Sequence, residues 1–223
     1  MSNIDSLRQY IELFHYNGIA DFFIGNSADE QLQNTETSDQ TVIGNTLDHL
    51  KKKYQDCKNC DLYSTRWKFV YGEGSINAKM MVVGNPPVAA ENINGKPFVG
   101  EYGLLFNKMM AAINFDRSNL YITNITKCRT DSKDLIKIQK CMPYLLEQIQ
   151  IVKPKLILVM GLLAANVLFN KNENMEFYRE RQPLFLDDIP VIVTYNPQEL
   201  LDNANLKKLA WIDLQKILNY DFL

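Results

Sequence analysis

Residues 78–84, AKMMVVG, and residues 155–161, KLILVMG, are short runs of apolar, β-favouring side chains that each stop at a glycine. Two further runs, NLYITN over 119–124 and IPVIVTYN over 189–196, have the same character but contain or end in asparagine. Continuous apolar strands without alternation are typical of a parallel sheet that is buried on both faces. The sequence therefore predicts four parallel strands, near residues 79–84, 119–123, 155–160 and 190–194.

The stretches around these strands have the periodicity of helices. They are GLLFNKMMAAI over 103–113, DLIKIQKCMPYLLEQIQIV over 134–152, GLLAANVLF over 161–169 and NLKKLAWIDLQKIL over 205–218. Strands that alternate with helices predict a three-layer α/β/α sandwich around a four-stranded parallel sheet. Functional side chains in such a sheet lie at the carboxyl ends of the strands, which are here Gly84, Asn124, Gly161 and Asn196.

The first fifty residues differ in composition from the rest of the chain. They carry eight acidic residues and one basic residue, whereas the remainder carries 23 basic and 18 acidic residues. Residues 4–19 have the spacing of an amphipathic helix, and residues 26–40 are polar, acidic and free of aromatic side chains. This leader is interpreted as a solubilising tail or as a regulatory arm that covers a basic face.

The boundaries follow from these changes in pattern. We expect an N-terminal helical extension over residues 1–25, an acidic linker over 26–41 and one domain over 42–223. Within that domain TLDHLKKKYQDC, residues 46–57, predicts a helix capped by Thr46.

Composition and hydropathy limit the cellular setting. The longest apolar runs are too short and too often interrupted by glycine to span a bilayer, so we expect no membrane association. No basic region followed by an apolar stretch opens the chain, which favours a cytoplasmic location over secretion. A net charge of −2 decides nothing about nucleic acid. We expect a monomer.

Cysteine is rare in this chain, with four residues in 223, and two of them are three residues apart. Cys57 and Cys60 form C-x2-C, and Cys128 and Cys141 follow as C-x12-C. Without a secretory signal, reduced metal-binding cysteines are favoured over two disulfides. A zinc site generally uses two close pairs, whereas an iron–sulfur cluster accepts ligands from separate elements. The spacing favours such a cluster, with unrelated core cysteines as the alternative.

Five segments occur in order along the chain. They are CKNCDLYSTRWKFVYGEG (57–74), MMVVGNPPVAAENINGKPFVGEYGLLFNKMM (80–110), LYITNITKCR (120–129), CMPYLLEQIQIVKPKLILVMG (141–161) and TYNPQELL (194–201), followed by W-x-DL. Together they closely resemble the family 4 uracil-DNA glycosylases, the iron–sulfur members of the uracil-DNA glycosylase superfamily. The resemblance runs from about Thr46 to the C-terminus. It implies that the cysteines hold a [4Fe-4S] cluster, with Cys57, Cys60, Cys128 and Cys141 as its ligands.

The resemblance also implies a reaction, the hydrolysis of the N-glycosidic bond of uracil in DNA, after the nucleotide has been flipped into a pocket. Phe98 matches the aromatic residue that stacks on the base. Asn124 matches the residue that reads the edge of the base, since an amide can donate to uracil O4 and accept from N3–H. Gly84, Asn85 and Pro86 form the loop beside the base.

Two chemically central positions depart from the family pattern. The usual Gly-Glu-Ala-Pro-Gly motif reads Gly84-Asn85-Pro86-Pro87-Val88 here, so Asn85 replaces an acid and Pro86 removes a backbone N–H donor. Asn196 replaces the histidine that stabilises the departing uracil, and an amide can donate a hydrogen bond but carries no charge. Other branches of the superfamily carry an Asn-Pro pair whose asparagine positions water. We therefore assign Asn85 and Asn196 as the candidate catalytic residues.

DNA contacts are assigned to basic side chains near loop ends. These side chains are Lys127, Arg129, Lys133, Arg179, Arg181, Lys207 and Lys208. Leu200, with Leu201, is the candidate wedge that enters the duplex, or else the start of the last helix. Because the catalytic positions are substituted, the sequence leaves two functional hypotheses. The protein is a working uracil-DNA glycosylase, or it is an accessory protein that binds DNA or uracil but barely cleaves. An iron–sulfur redox protein ranks third.

Overall fold

The computed structural model describes the backbone of residues 39–131 and 135–220, and the side chains from residue 47 onward within those ranges. The amphipathic pattern over 4–19 and most of the acidic linker lie outside the described residues. No helix within the described part of the chain has the length and apolar character needed to cross a membrane.

One six-stranded sheet organises the fold, in the order β1-β3-β2-β4-β6-β5. The strands are β1 (Glu73–Gly74), β2 (Met80–Gly84), β3 (Leu120–Asn124), β4 (Leu156–Met160), β5 (Leu184–Leu186) and β6 (Ile189–Thr194). The four central strands run parallel, as the sequence predicts, and β1 and β5 add short antiparallel edges that the sequence analysis missed. Every residue of β2, β3 and β4 is buried, which explains their continuous apolar sequences.

Helices cover the sheet on both sides and confirm the three-layer α/β/α class. They are α1 (Asp39–Tyr54), α2 (Ala89–Asn94), α3 (Glu101–Ala111), α4 (Leu135–Gln139), α5 (Met142–Val152), α6 (Leu162–Leu168), α7 (Met175–Arg181), α8 (Pro197–Asp202) and α9 (Leu206–Ile217). Two short 3-10 turns lie at Asp61–Thr65 and Arg117–Asn119.

Two helix predictions were wrong in their bounds. Helix α1 begins at Asp39 rather than at Thr46, because Gly44 lowers helix propensity by only about 1 kcal/mol and does not end the helix. The single helix predicted over 134–152 is two helices, α4 and α5. Pro143 lies in the first turn of α5, where its missing N–H costs least, so the chain restarts a helix there and leaves Cys141 at the junction.

Candidate active site at the carboxyl edge of the sheet

The carboxyl ends of the parallel strands lie side by side. Gly84 is in register with Asn124 on one neighbouring strand and with Met160 on the other, and Met160 pairs in turn with Thr194. The loops that follow these four strands therefore share one edge of the sheet, as the alternating pattern of strands and helices predicts.

Phe98 lies directly over Gly84. A Cβ atom on Gly84 would stand 2.6 Å from Cζ of Phe98, so only glycine allows the ring to lie this close to the end of β2. The ring is 2% exposed and packs against Phe106, with their ring centroids 4.6 Å apart. Phe98 has a φ of 48°, a left-handed conformation that is uncommon outside glycine.

The strained loop around Phe98 is held by polar contacts on both sides. The backbone N–H of Phe98 donates to Oε1 of Glu91 at 2.6 Å. Arg117 donates to the carbonyl oxygens of Phe98, at 3.1 Å, and of Pro97, and its Nε bonds Oε1 of Glu73 at 2.8 Å. One guanidinium group thus ties the loop to edge strand β1, so the backbone conformation of Phe98 is fixed by its surroundings.

Asn124 ends β3 with its side chain in the same place. Its Nδ2 donates to the carbonyl oxygen of Asn85 at 2.7 Å and weakly to Glu91 at 3.4 Å. Its Oδ1 is buried and has no hydrogen-bond partner in the structure. A buried acceptor without a partner costs roughly 1–3 kcal/mol, so this atom is available to a ligand that brings an N–H donor.

Glu91 belongs to this site, although the sequence analysis missed it. Its carboxylate is 1% exposed and also accepts a hydrogen bond from the N–H of Val88 at 2.7 Å. Burial raises the pKa of Glu91 above its usual range, against the hydrogen bonds that lower it. An acid three residues after the N-cap of a helix is the available sequence signal, since it fits the N3 position of a capping box. The contact with Phe98 is tertiary and leaves no local signal.

Asn85 points to the neighbouring helix rather than freely into the site. Its Oδ1 accepts a hydrogen bond from the N–H of Ala164 at 3.0 Å, in the first turn of α6. A Cβ atom on Gly161, whose φ is 118°, would stand 2.4 Å from Nδ2 of Asn85. Asn85 therefore satisfies an orphan donor at the start of a helix. Pro86 beside it is half-buried and offers no N–H donor.

Asn196 has the same kind of task at the next helix. It is the N-cap of α8, where its Oδ1 accepts from the N–H of Gln198 at 2.9 Å and its own N–H donates to Glu199 at 2.7 Å. Its Nδ2 donates to the carbonyl oxygen of Met160 at 3.3 Å, and the residue is 8% exposed. Both candidate catalytic amides thus already have structural hydrogen bonds.

Comparison with known proteins assigns this architecture. The uracil DNA glycosylase superfamily matches residues 71–215, which is more than half of the chain. The chain belongs to this superfamily. It is 32% identical to a Type-4 uracil-DNA glycosylase of Archaeoglobus fulgidus, over 77% of this chain and 92% of that protein. Proteins of the same name from Sulfurisphaera tokodaii and Thermotoga maritima are 34% and 28% identical, over 77% and 76% of this chain and 83% and 92% of theirs.

Two of the predicted DNA contacts in this superfamily member are wrong. Lys127 is fully buried, and its Nζ donates to Thr123, to the carbonyl oxygen of Asn124 and to Gln148 at 2.6 to 2.8 Å. Burial lowers the pKa of Lys127 to about 7. Lys127 therefore stabilises the end of β3 from the interior of the protein through its hydrogen bonds. Leu200 is 2% exposed within α8 and is not a wedge in this structure.

The other basic residues predicted to contact DNA differ in how exposed their side chains are. Arg129 is 40% exposed and pairs with Asp131 at 2.8 Å, while Arg181 is 55% exposed and lies over the ring of Phe177. Arg179 is only 14% exposed and pairs with the buried Asp213 at 2.7 Å, so it stabilises the core. Lys207 and Lys208 are exposed on α9. Lys133 lies outside the described residues.

The four cysteines come from three separate segments of the chain, and Cys57 packs against a buried cluster that contains Cys141. Burial, with a smaller contribution from the thiols of Cys128 and Cys60, raises the pKa of Cys141 to about 12. Burial also raises the pKa of Cys128, and the electrostatic influence of Cys60 and Cys57 acts in the same direction. None of the four forms a disulfide bond.

Polar groups surround these sulfur atoms. Nη1 of Arg66 donates to Sγ of Cys128 at 3.4 Å and to the carbonyl oxygen of Cys57 at 3.0 Å. The hydroxyl of Tyr144 is 3.0 Å from Sγ of Cys57. Within the described residues, no group of three or more histidine, cysteine, aspartate and glutamate side chains is arranged to hold a metal ion. The donor set is nevertheless composed of soft sulfur ligands alone, with a cation beside them, as suits iron bound to thiolates.

Proposed function

We propose that this chain hydrolyses the N-glycosidic bond of uracil in DNA, as a repair enzyme that flips the damaged nucleotide into the pocket of Gly84, Phe98 and Asn124. The names of the similar proteins and the matched superfamily support this reaction. A base inside a duplex is out of reach, so flipping is required for chemistry at its sugar bond.

The unpaired Oδ1 of Asn124 carries the proposal. Because Nδ2 of Asn124 is committed to the carbonyl oxygen of Asn85, the orientation of the amide is fixed and its acceptor oxygen is left without a partner. Uracil brings an N–H at N3, whereas cytosine brings a lone pair at that position. A site built to accept a hydrogen bond rejects a ligand that lacks the donor, since its buried acceptor stays unpaired.

Phe98 supplies the stacking surface in this proposal, and its neighbours keep it in place. Arg117 and Glu91 hold the backbone of the loop from opposite sides, so the loop does not need to be ordered when the base arrives. The ring lies over Gly84 in the structure, so entry of a base requires it to shift away from the end of β2.

A second candidate function, a protein that binds the base but cleaves it weakly, is favoured by one observation. Asn85 and Asn196 replace the acid and the histidine of the family, and both side chains are used as helix caps. The chain has no histidine after His49. Losing one donor to developing negative charge costs on the order of 10²-fold or more in rate. Asn85 as the residue that positions water and Asn196 as the donor to the departing base are the catalytic roles that we propose.

Cys57, Cys60, Cys128 and Cys141 would hold the [4Fe-4S] cluster of this proposal. The cluster, when bound, supplies a covalent cross-link between the end of α1, the loop after β3 and the junction of α4 and α5. Arg66 already donates to one sulfur and would offset negative charge on the thiolates. Anaerobically purified protein should contain about four irons and four sulfides per chain. One zinc and no sulfide would refute the cluster.

The remaining assignments complete the proposal. DNA meets Arg129, Arg181, Lys207 and Lys208, with the exposed Leu201 replacing Leu200 as the apolar contact. The glycosylase domain spans residues 42–223, after a helical extension over 1–25 and an acidic linker over 26–41. We propose that the protein works as a monomer in the cytoplasm.

Incubation with oligonucleotides that carry one uracil, followed by alkaline cleavage of the abasic product, tests the reaction. We expect strand cleavage with uracil and none with cytosine at the same position. Binding of both oligonucleotides is measured in parallel. Preference for uracil in binding without any cleavage would favour the second candidate, and no preference in either assay would overturn both.

A further inference from the structure

A groove of about 350 Å³ lies beside the cysteine segment, outside the pocket of Phe98 and Asn124. Trp67 lines this groove and is 78% exposed, which makes it the most exposed of the large apolar side chains in the described part of the chain. An indole this exposed contributes little to the hydrophobic core. Its free face is therefore open to a flat ligand.

The charge around the groove is mainly positive. Lys51, Arg66 and Lys68 line it, against a single acid, Asp56. Lys51 belongs to the basic last turn of α1 and is exposed, as is Lys68. Arg66 is engaged with the cysteine segment, so the two lysines are the cations free to meet a ligand. An aromatic face flanked by lysines matches the chemistry of a nucleic-acid strand, which offers bases and phosphates in alternation.

Hydrogen bonds connect the groove to the segment that holds Phe98. The backbone N–H groups of Trp67 and Lys68 donate to the side chain and the carbonyl oxygen of Asn92, each at 3.0 Å. Asn92 follows Glu91, which holds the N–H of Phe98. The side chain of Lys68 also lies over Gly95, where an added Cβ would be 3.1 Å from its Cδ. One helix, α2, thus contacts both the groove segment and the loop of Phe98.

We propose that Trp67, Lys51 and Lys68 form a second DNA subsite, which stacks an unpaired base near the flipped nucleotide and binds the phosphates beside it. This inference rests on the proposed function for the identity of the strand. Stacking on an aromatic side chain contributes to affinity on any base, so the subsite favours unpaired strands without reading sequence.

Binding of an unmodified oligothymidylate to the full chain tests the subsite without any cleavage step. The chain has two tryptophans, so Trp211→Phe leaves Trp67 as the single indole. We expect the oligonucleotide to quench its fluorescence. Trp67→Ala should weaken binding roughly ten-fold with an unchanged salt dependence, because stacking releases no counterions. Trp67→Phe should recover part of the affinity.

Charge variants test the rest of the subsite. Lys51→Ala and Lys68→Met should each lower the slope of log affinity against log salt by roughly 0.7, as for one phosphate on a single strand. Lys155→Ala is the matched control, since this exposed lysine precedes β4 at the opposite edge of the sheet. Absence of quenching, with unchanged affinity in Trp67→Ala, would overturn the inference, as would tight binding only to blunt duplex.

Excision of uracil, measured on the same preparations, separates the two proposals. Quenching and weaker binding in Trp67→Ala, without excision by the natural chain, would support the subsite and reject the proposed reaction. Excision by the natural chain, with unchanged binding in Trp67→Ala, would support the proposed reaction and reject the subsite.

Discussion

Asparagines on two parts of the carboxyl edge have opposite hydrogen-bond states. Asn124, at the end of β3, keeps a buried Oδ1 with no partner. Asn85 and Asn196 reach the helices that follow β4 and β6, and their Oδ1 atoms accept backbone N–H groups of α6 and α8. The same residue type thus has an unpaired hydrogen-bond acceptor in one place and caps helices in the other.

The difference distinguishes asparagines that stabilise the fold from an asparagine that is available to a ligand. A capping amide stabilises the chain whether or not a ligand is present, whereas an unpaired buried acceptor lowers stability until a ligand arrives. Substitutions at the first kind of site should change the free energy of unfolding. Substitutions at the second kind should change recognition of the base.

The largest effect is expected for Asn124→Leu. Uracil excision, or the preference for uracil over cytosine in binding, should fall by about 10²-fold, because the acceptor for N3–H is gone. The free energy of unfolding should change by less than about 1 kcal/mol, since removal of the unpaired acceptor offsets the lost bond to Asn85. Single-turnover kinetics and urea denaturation measure the two quantities. Unchanged recognition with a large loss of stability would reverse the comparison.

Asn196→His should raise excision by roughly 10-fold, because an imidazolium can stabilise charge on the departing uracil. The gain should fade as the pH rises above about 6.5, where the ring loses its proton. Excision is measured from pH 5 to 8 beside Asn196→Gln, which has an amide but no titratable group. An equal rise in both variants would show that charge is not the cause.

Substitution of a capping asparagine should lower the free energy of unfolding. Asn85→Ala should lower the free energy of unfolding by about 1 kcal/mol, whereas Asn85→Asp keeps an oxygen for the N–H of Ala164 and should lose less. Denaturant melts of the two variants give this contrast. If Asn85 also positions water, Asn85→Ala should abolish excision. A variant with lower stability and full excision would leave Asn85 as a cap alone.

The smallest effect concerns Glu91 and pH. Because burial raises its pKa in the folded chain, the folded state holds the proton more tightly than the unfolded state does. Its contribution to stability is therefore present below the ordinary pKa of a glutamate and is lost as the pH rises through the raised value. Glu91→Gln should flatten the decline of the unfolding free energy above about pH 4.5. Parallel slopes for both proteins would contradict this role.

The sequence predicts the central strands well, because four short, mainly apolar runs without helical periodicity have few other uses in a chain of this size. It also predicts that Gly84 and Asn124 meet, since parallel strands end at one edge. It does not predict the burial of Lys127, which depends on Thr123 and Gln148 arriving from β3 and α5. Likewise Glu91 meets Phe98 only through a loop whose shape is fixed by Arg117. Tertiary hydrogen bonds of this kind leave no periodic pattern.

Asn92 joins the segment of Trp67 to helix α2 across 25 residues of chain. Asn92 accepts hydrogen bonds from the amides of Trp67 and Lys68, and its Nδ2 donates to the carbonyl oxygen of Thr65. A fluctuation that melts α2 must therefore expose both amides together. In hydrogen-exchange experiments these two stretches should behave as one cooperative unit, with the same opening free energy and the same response to urea.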